Sequence, residues 1–102
     1  MKYSGSWSQV DRKITFANGN TFLIFMVHAN DSGRTPSVAI ATRERDNGLY
    51  SLTVLAQTNT GSGLELSSDG TYITAKGQSS IKYISAIHLA GTAANSFLEE
   101  DL

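Results

Sequence analysis

Cysteine is absent from the 102-residue chain, which removes disulfides, thiolate zinc sites and cysteine nucleophiles together. Secreted domains of this size often carry a disulfide, so the composition fits a product assembled in the cytosol. Charge is scarce as well. Asp, Glu, Lys and Arg make up 17% of the residues, against roughly 25% in ordinary soluble domains. Eight cationic side chains face nine anionic ones. With no basic block to displace counterions from a phosphate backbone, nucleic acid is excluded as a general partner. Long apolar runs are also missing. The longest, Phe22 to Val27, is far short of the roughly 20 residues that cross a bilayer as a helix, so no membrane insertion is expected. The first seven residues, Met-Lys-Tyr-Ser-Gly-Ser-Trp, hold neither an apolar signal core nor a processing site, so export is not expected either.

Hydroxyls replace the missing charge: the chain has thirteen Ser and ten Thr. Thr suits a pleated, half-exposed surface and Ser suits turns, a balance that favours strands with a neutral polar outer face. Period-two alternation, bounded by Gly, Asn, Asp and Ser, predicts eight strands. They cover Tyr3 to Gln9, Arg12 to Ala17, Thr21 to Ala29, Ser37 to Arg43, Leu49 to Gln57, Leu64 to Ser68, Thr71 to Lys76 and Ser80 to Leu89. Asn18-Gly19 and Asp69-Gly70 supply hairpin signals, and the first two strands are read as the start of a meander. The expected fold is all-β: a single antiparallel β-sandwich or jelly roll spanning residues 1–91. Residues 92–102 lose the alternation and end acidic, at Glu99, Glu100 and Asp101. They are read as a tail that is irregular, helical or disordered, or that docks on a neighbour through Phe97 and Leu98.

The expected core is Phe22, Ile24, Met26, Val38, Ile40, Leu52, Val54, Ile73, Ile84 and Ile87. One strand breaks the pattern. Thr21 to Ala29 is apolar on both faces, with Phe22, Ile24 and Met26 on one and Leu23, Phe25 and Val27 on the other. A two-layer domain has one interior, so the second face needs a further layer or a neighbouring subunit. The chain is therefore expected to be a homo-oligomer, most simply a trimer.

Catalytic signatures are missing. There is no phosphate loop, no dinucleotide fingerprint and no nucleophile elbow; Gly61-Ser62-Gly63 reads as loop composition. Glu44 and Asp46 share one turn, whereas glycoside hydrolysis needs carboxylates facing each other across a cleft. His28 and His88 show no metal-ligand spacing, even with Asp31 as a third donor, and are read as structural. No cofactor, metal or enzyme activity is expected. Binding asks for less: planar polar groups, an aromatic face and a rigid scaffold. Asn30, Asp31 and Arg34 lie in one loop and Arg45 and Asp46 in another. If both loops share one end of the sandwich, they form a saccharide site with Tyr50 as the stacking surface.

The stretch Gly-Leu-Glu-Leu-Ser-Ser-Asp-Gly-Thr-Tyr-Ile-Thr-Ala-Lys-Gly from Gly63 to Gly77, followed by Ile-Lys-Tyr-Ile-Ser-Ala-Ile-His-Leu from Ile81 to Leu89, resembles the endings of many phage and prophage tail proteins. With the apolar strand before it, the likeness runs from Thr21 to Gly91. It implies a non-catalytic C-terminal β-sandwich module of a tail or tail-fibre receptor-binding protein, made in the bacterial cytoplasm and carried on the virion. Such a module contacts other tail proteins and a host-surface saccharide. The alternatives are a ligand-free virion assembly or decoration protein and a stand-alone, extracellular lectin-like domain.

Overall fold

The structure is a computed structural model, and it describes residues 2–4, 10–28, 36–56, 65–76 and 82–102. These residues form nine strands and no helix, arranged as two antiparallel sheets. The strands are β1 (Lys2–Ser4), β2 (Arg12–Thr15), β3 (Thr21–His28), β4 (Ser37–Arg43), β5 (Tyr50–Ala56), β6 (Glu65–Ser68), β7 (Ile73–Lys76), β8 (Lys82–Ala90) and β9 (Leu98–Asp101). One sheet has the order β1-β8-β3-β4-β5 and the other β6-β7-β2-β9. All eight strands expected from alternation have a counterpart, and the ninth comes from the segment read as a tail. Residues after Gly91 are irregular only as far as Phe97. Leu98–Asp101 then pairs with β2 in the register Arg12↔Asp101, Lys13↔Glu100, Ile14↔Glu99 and Thr15↔Leu98. Basic residues of β2 face acidic residues of β9, so the strand is held by charge as well as by its ladder.

The apolar alternation seals the space between the sheets. Phe22, Ile24 and Met26 of β3, Ile84 and Ala86 of β8, and Ala39 and Ala41 of β4 meet Ile14, Phe16, Ile73, Ala75 and Phe97 from the other layer. Phe22 and Ile24 pair in register with Ala41 and Ala39. Small side chains on β4 leave room for large ones beside them, as native packing density requires. Val38 and Ile40 therefore lie on the opposite face of β4, which corrects their assignment to the core. Ile87 is corrected in the same way, because Ile84 and Ala86 are the inward residues of β8. Val54 is 40% exposed and closes the margin of the core rather than its centre. Leu52 packs against the core from a partly buried position.

The turn signals act differently from expectation. β2 and β3 belong to different sheets, so Asn18-Gly19 carries the chain across the sandwich rather than closing a hairpin. Gly19 takes a φ of 77° and donates its N–H to the Arg43 carbonyl at 2.7 Å, locking the crossing onto the end of β4. β1 pairs with β8, so β1 and β2 do not begin a meander. Asp69-Gly70 does join a hairpin, β6 to β7, with Ser68 opposite Ile73.

Candidate functional site: the outer face of the five-stranded sheet

Of the residues expected to form a saccharide site, Arg45, Asp46 and Tyr50 lie among the described residues. Asn30, Asp31 and Arg34 lie outside the described residues. Tyr50 is buried, 6% exposed. Its hydroxyl accepts a hydrogen bond from the Phe16 N–H at 2.9 Å and donates one to the Phe16 carbonyl at 3.1 Å. One side of its ring meets Phe16 edge-on, and the Arg43 guanidinium lies over it at 4.9 Å. An apolar ring with a polar tip has been used to join the layers, and no stacking surface is left for a sugar. Arg45 and Asp46 are exposed and 3.7 Å apart, an ion pair of the solvated kind.

The histidines separate for a topological reason. β8 runs antiparallel to β3, which sets His88 beside Phe22 at one end and His28 beside Lys82 at the other. His88 shares its Nε2 with the Asn20 Oδ1 at 2.9 Å and lies against the Phe22 ring. Among the described residues no group of three metal-ligating side chains occurs.

What the structure does bring together is a neutral apolar surface. On the outer face of β3 stand Thr21, Leu23, Phe25 and Val27. Across the ladder, Leu23 has Ile40 on one side and Ile87 on the other; Phe25 has Val38 and Ser85; Val27 has Tyr83. Beyond Ile40 and Thr42 lie Thr53 and Ser51 of β5. None of these outward residues of β3, β4, β5 and β8 carries a formal charge. Ile87 is 40% exposed, and Leu89 and Leu55, at the two irregularities of register, are 50% and 57% exposed. The outer face of the four-stranded sheet differs. There Lys13 approaches Glu100 at 3.9 Å and lies over the Tyr72 ring at 5.0 Å, with Thr15, Thr74 and Lys76 around them. Its edge is charged too, since Arg12 bridges both Glu99 (3.2 Å) and Asp101.

Sequence reasoning saw the two-faced character of β3 but assigned its neighbours Val38, Ile40 and Ile87 to the core, so it underestimated the breadth of this face. The signal was available: Ser37 to Ala41 of β4 alternates small with large residues, and either set fits an interior on pattern alone. Comparison with protein-family models, with curated proteins and with solved structures returns no match for this chain.

Proposed function

We propose that this chain is a non-catalytic, self-associating assembly module that works through the outer face of its five-stranded sheet, and that its setting is the phage tail its strand pattern resembles. One observation carries the reading: a broad apolar face across β3, β4, β5 and β8, with charge only at its β1 margin where Lys2 stands opposite Ile87, against a charged outer face on the other sheet. Contiguous apolar surface of this kind marks an interaction site on a soluble protein. Its uncharged centre is also self-compatible, because copies that meet through β3, β4 and β5 bring no like charges together. A ligand-free assembly role fits better than saccharide attachment, because Tyr50 is occupied within the core. The resemblance implies three copies.

Sedimentation velocity of the parent chain and of an Ile87→Lys variant tests the proposal. Ile87 sits beside Leu23 in the apolar row yet is exposed enough to accept a long polar side chain without loss of the core. The parent should sediment as an oligomer at micromolar concentration. The variant should associate at least about tenfold more weakly, equivalent to about 1.4 kcal/mol, with an unchanged far-ultraviolet spectrum. A parent that is monomeric at high micromolar concentration, or a variant as associated as the parent, overturns the proposal.

A further inference from the structure

We infer that the free edge of β5 pairs with β5 of a second copy, antiparallel and about a two-fold axis, extending the five-stranded sheet across the pair. Exposed strand edges are templates for further strands, and proteins blunt them by making them short, charged or proline-bearing. Among the described residues, three of the four edges are blunted. β1 has three residues, β6 has four and begins with Glu65, and β9 carries Glu99, Glu100 and Asp101. β5, Tyr-Ser-Leu-Thr-Val-Leu-Ala, is seven residues long with neither charge nor proline.

The edge also presents the groups such a pairing needs. The Glu44 N–H donates to the Leu49 carbonyl at 2.8 Å and closes the β4–β5 connection. Bonded and non-bonded pairs alternate from there along an antiparallel ladder. Ser51 and Thr53 therefore bond to β4, while Tyr50, Leu52 and Val54 turn their backbone groups away from it. The Tyr50 N–H is taken by the Gly70 carbonyl at 2.9 Å. The outward backbone groups of Leu52 and Val54 have no partner among the described residues.

A second β5 satisfies them. With Thr53 opposite Thr53 on the two-fold axis, Leu52 of each copy faces Val54 of the other, and these two pairs exchange four backbone hydrogen bonds. A Thr–Thr pair is favourable across strands. The contact is isologous and therefore closes on itself rather than growing into a fibre.

The test uses the full chain in sedimentation velocity. Val54→Pro removes one outward N–H at an edge position where proline is tolerated and leaves the outer face untouched. It should weaken association at least tenfold with an unchanged far-ultraviolet spectrum. Thr53→Lys and Thr53→Glu should each associate at least tenfold more weakly alone, and an equimolar mixture should recover the parent's affinity because opposite charges then meet on the axis. A Val54→Pro chain that associates as tightly as the parent, or a mixture no tighter than its separate components, overturns the inference. If Ile87→Lys dissociates the protein while Val54→Pro does not, edge pairing fails and the face contact stands. A monomeric parent removes both.

Discussion

Asn20 holds the crossing from β2 to β3 against the connection from β8 to β9, and replacing it should be among the most damaging single changes. Its side chain is 1% exposed. The Oδ1 accepts from the Ala93 N–H at 3.0 Å and pairs with the His88 Nε2 at 2.9 Å. The Nδ2 donates to the Ala17 carbonyl at 3.2 Å and the Asn18 carbonyl at 3.1 Å. Because Ala93 can only donate, the orientation of the amide is fixed. Each such bond is worth about 1 kcal/mol net, and a group left unsatisfied and buried costs more. Asn20→Ala should therefore lose about 3 to 4 kcal/mol, which for a domain of this size lowers the melting temperature by roughly 12 to 30 °C. Asn20→Asp preserves the volume and the two acceptor contacts but sets a second oxygen against two carbonyls, so it should be destabilised comparably at neutral pH. Urea and thermal unfolding followed by circular dichroism measure both. A loss under about 1 kcal/mol for Asn20→Ala would show that water replaces the amide without cost and that the crossing is held elsewhere.

Three further outcomes are expected. Gly91 has a φ of 108°, and an added methyl would stand 2.6 Å from the Gly19 carbonyl, so Gly91→Ala should cost about 2 to 4 kcal/mol in a denaturant midpoint. Tyr50→Phe leaves the Phe16 N–H buried without its acceptor and should cost about 1 to 3 kcal/mol; the Phe16 carbonyl keeps the Arg43 guanidinium at 2.7 Å, which places the result toward the lower end. The Thr71 hydroxyl, and then the Thr71 N–H, donate to Asp69 and hold its carboxyl below the usual carboxylate value. Since the folded value is depressed, this contribution is present above the unfolded value of about 3.9 and is lost as pH falls through the folded one. Thr71→Val should move the Asp69 titration upward in a nuclear magnetic resonance experiment.

Alternation along the chain was enough to locate eight strands, because a period of two is a local property of each segment. Which face of a strand points inward is not local. On β4, Ser37, Ala39 and Ala41 alternate with Val38 and Ile40, and hydrophobicity alone puts the larger pair inside. The interior takes the small set because Phe22 and Ile24 beside it, and Ile14 and Phe16 across from it, already fill the space. β9 was illegible for a related reason. Its partners Arg12 and Lys13 lie more than 80 residues away, so its stabilisation is invisible to any window that contains it. Tyr50 reads as a surface aromatic next to a polar turn until the register brings the Phe16 backbone to its hydroxyl.

The face and the edge also set each other's scale. Three strands about 4.8 Å apart, each with seven residues at about 3.4 Å, give the apolar centre of the five-stranded sheet a footprint of roughly 300 Å². Stable interfaces bury about 800 Å² per partner, so this face alone is small for a lasting contact. Pairing through β5 lays two such faces side by side in one continuous sheet and doubles the apolar surface offered to a further copy. Face contacts and edge contacts should therefore strengthen each other by raising effective concentration, and loss of either should weaken the assembly more than its own area suggests. Mass in solution distinguishes the arrangements. A two-fold edge requires an even number of 11.0 kDa chains, whereas a three-fold face contact alone gives three. A particle of six chains that Ile87→Lys reduces to two and Val54→Pro to three would place both contacts in the same assembly; a stable particle of three chains in the parent would leave the β5 edge unused.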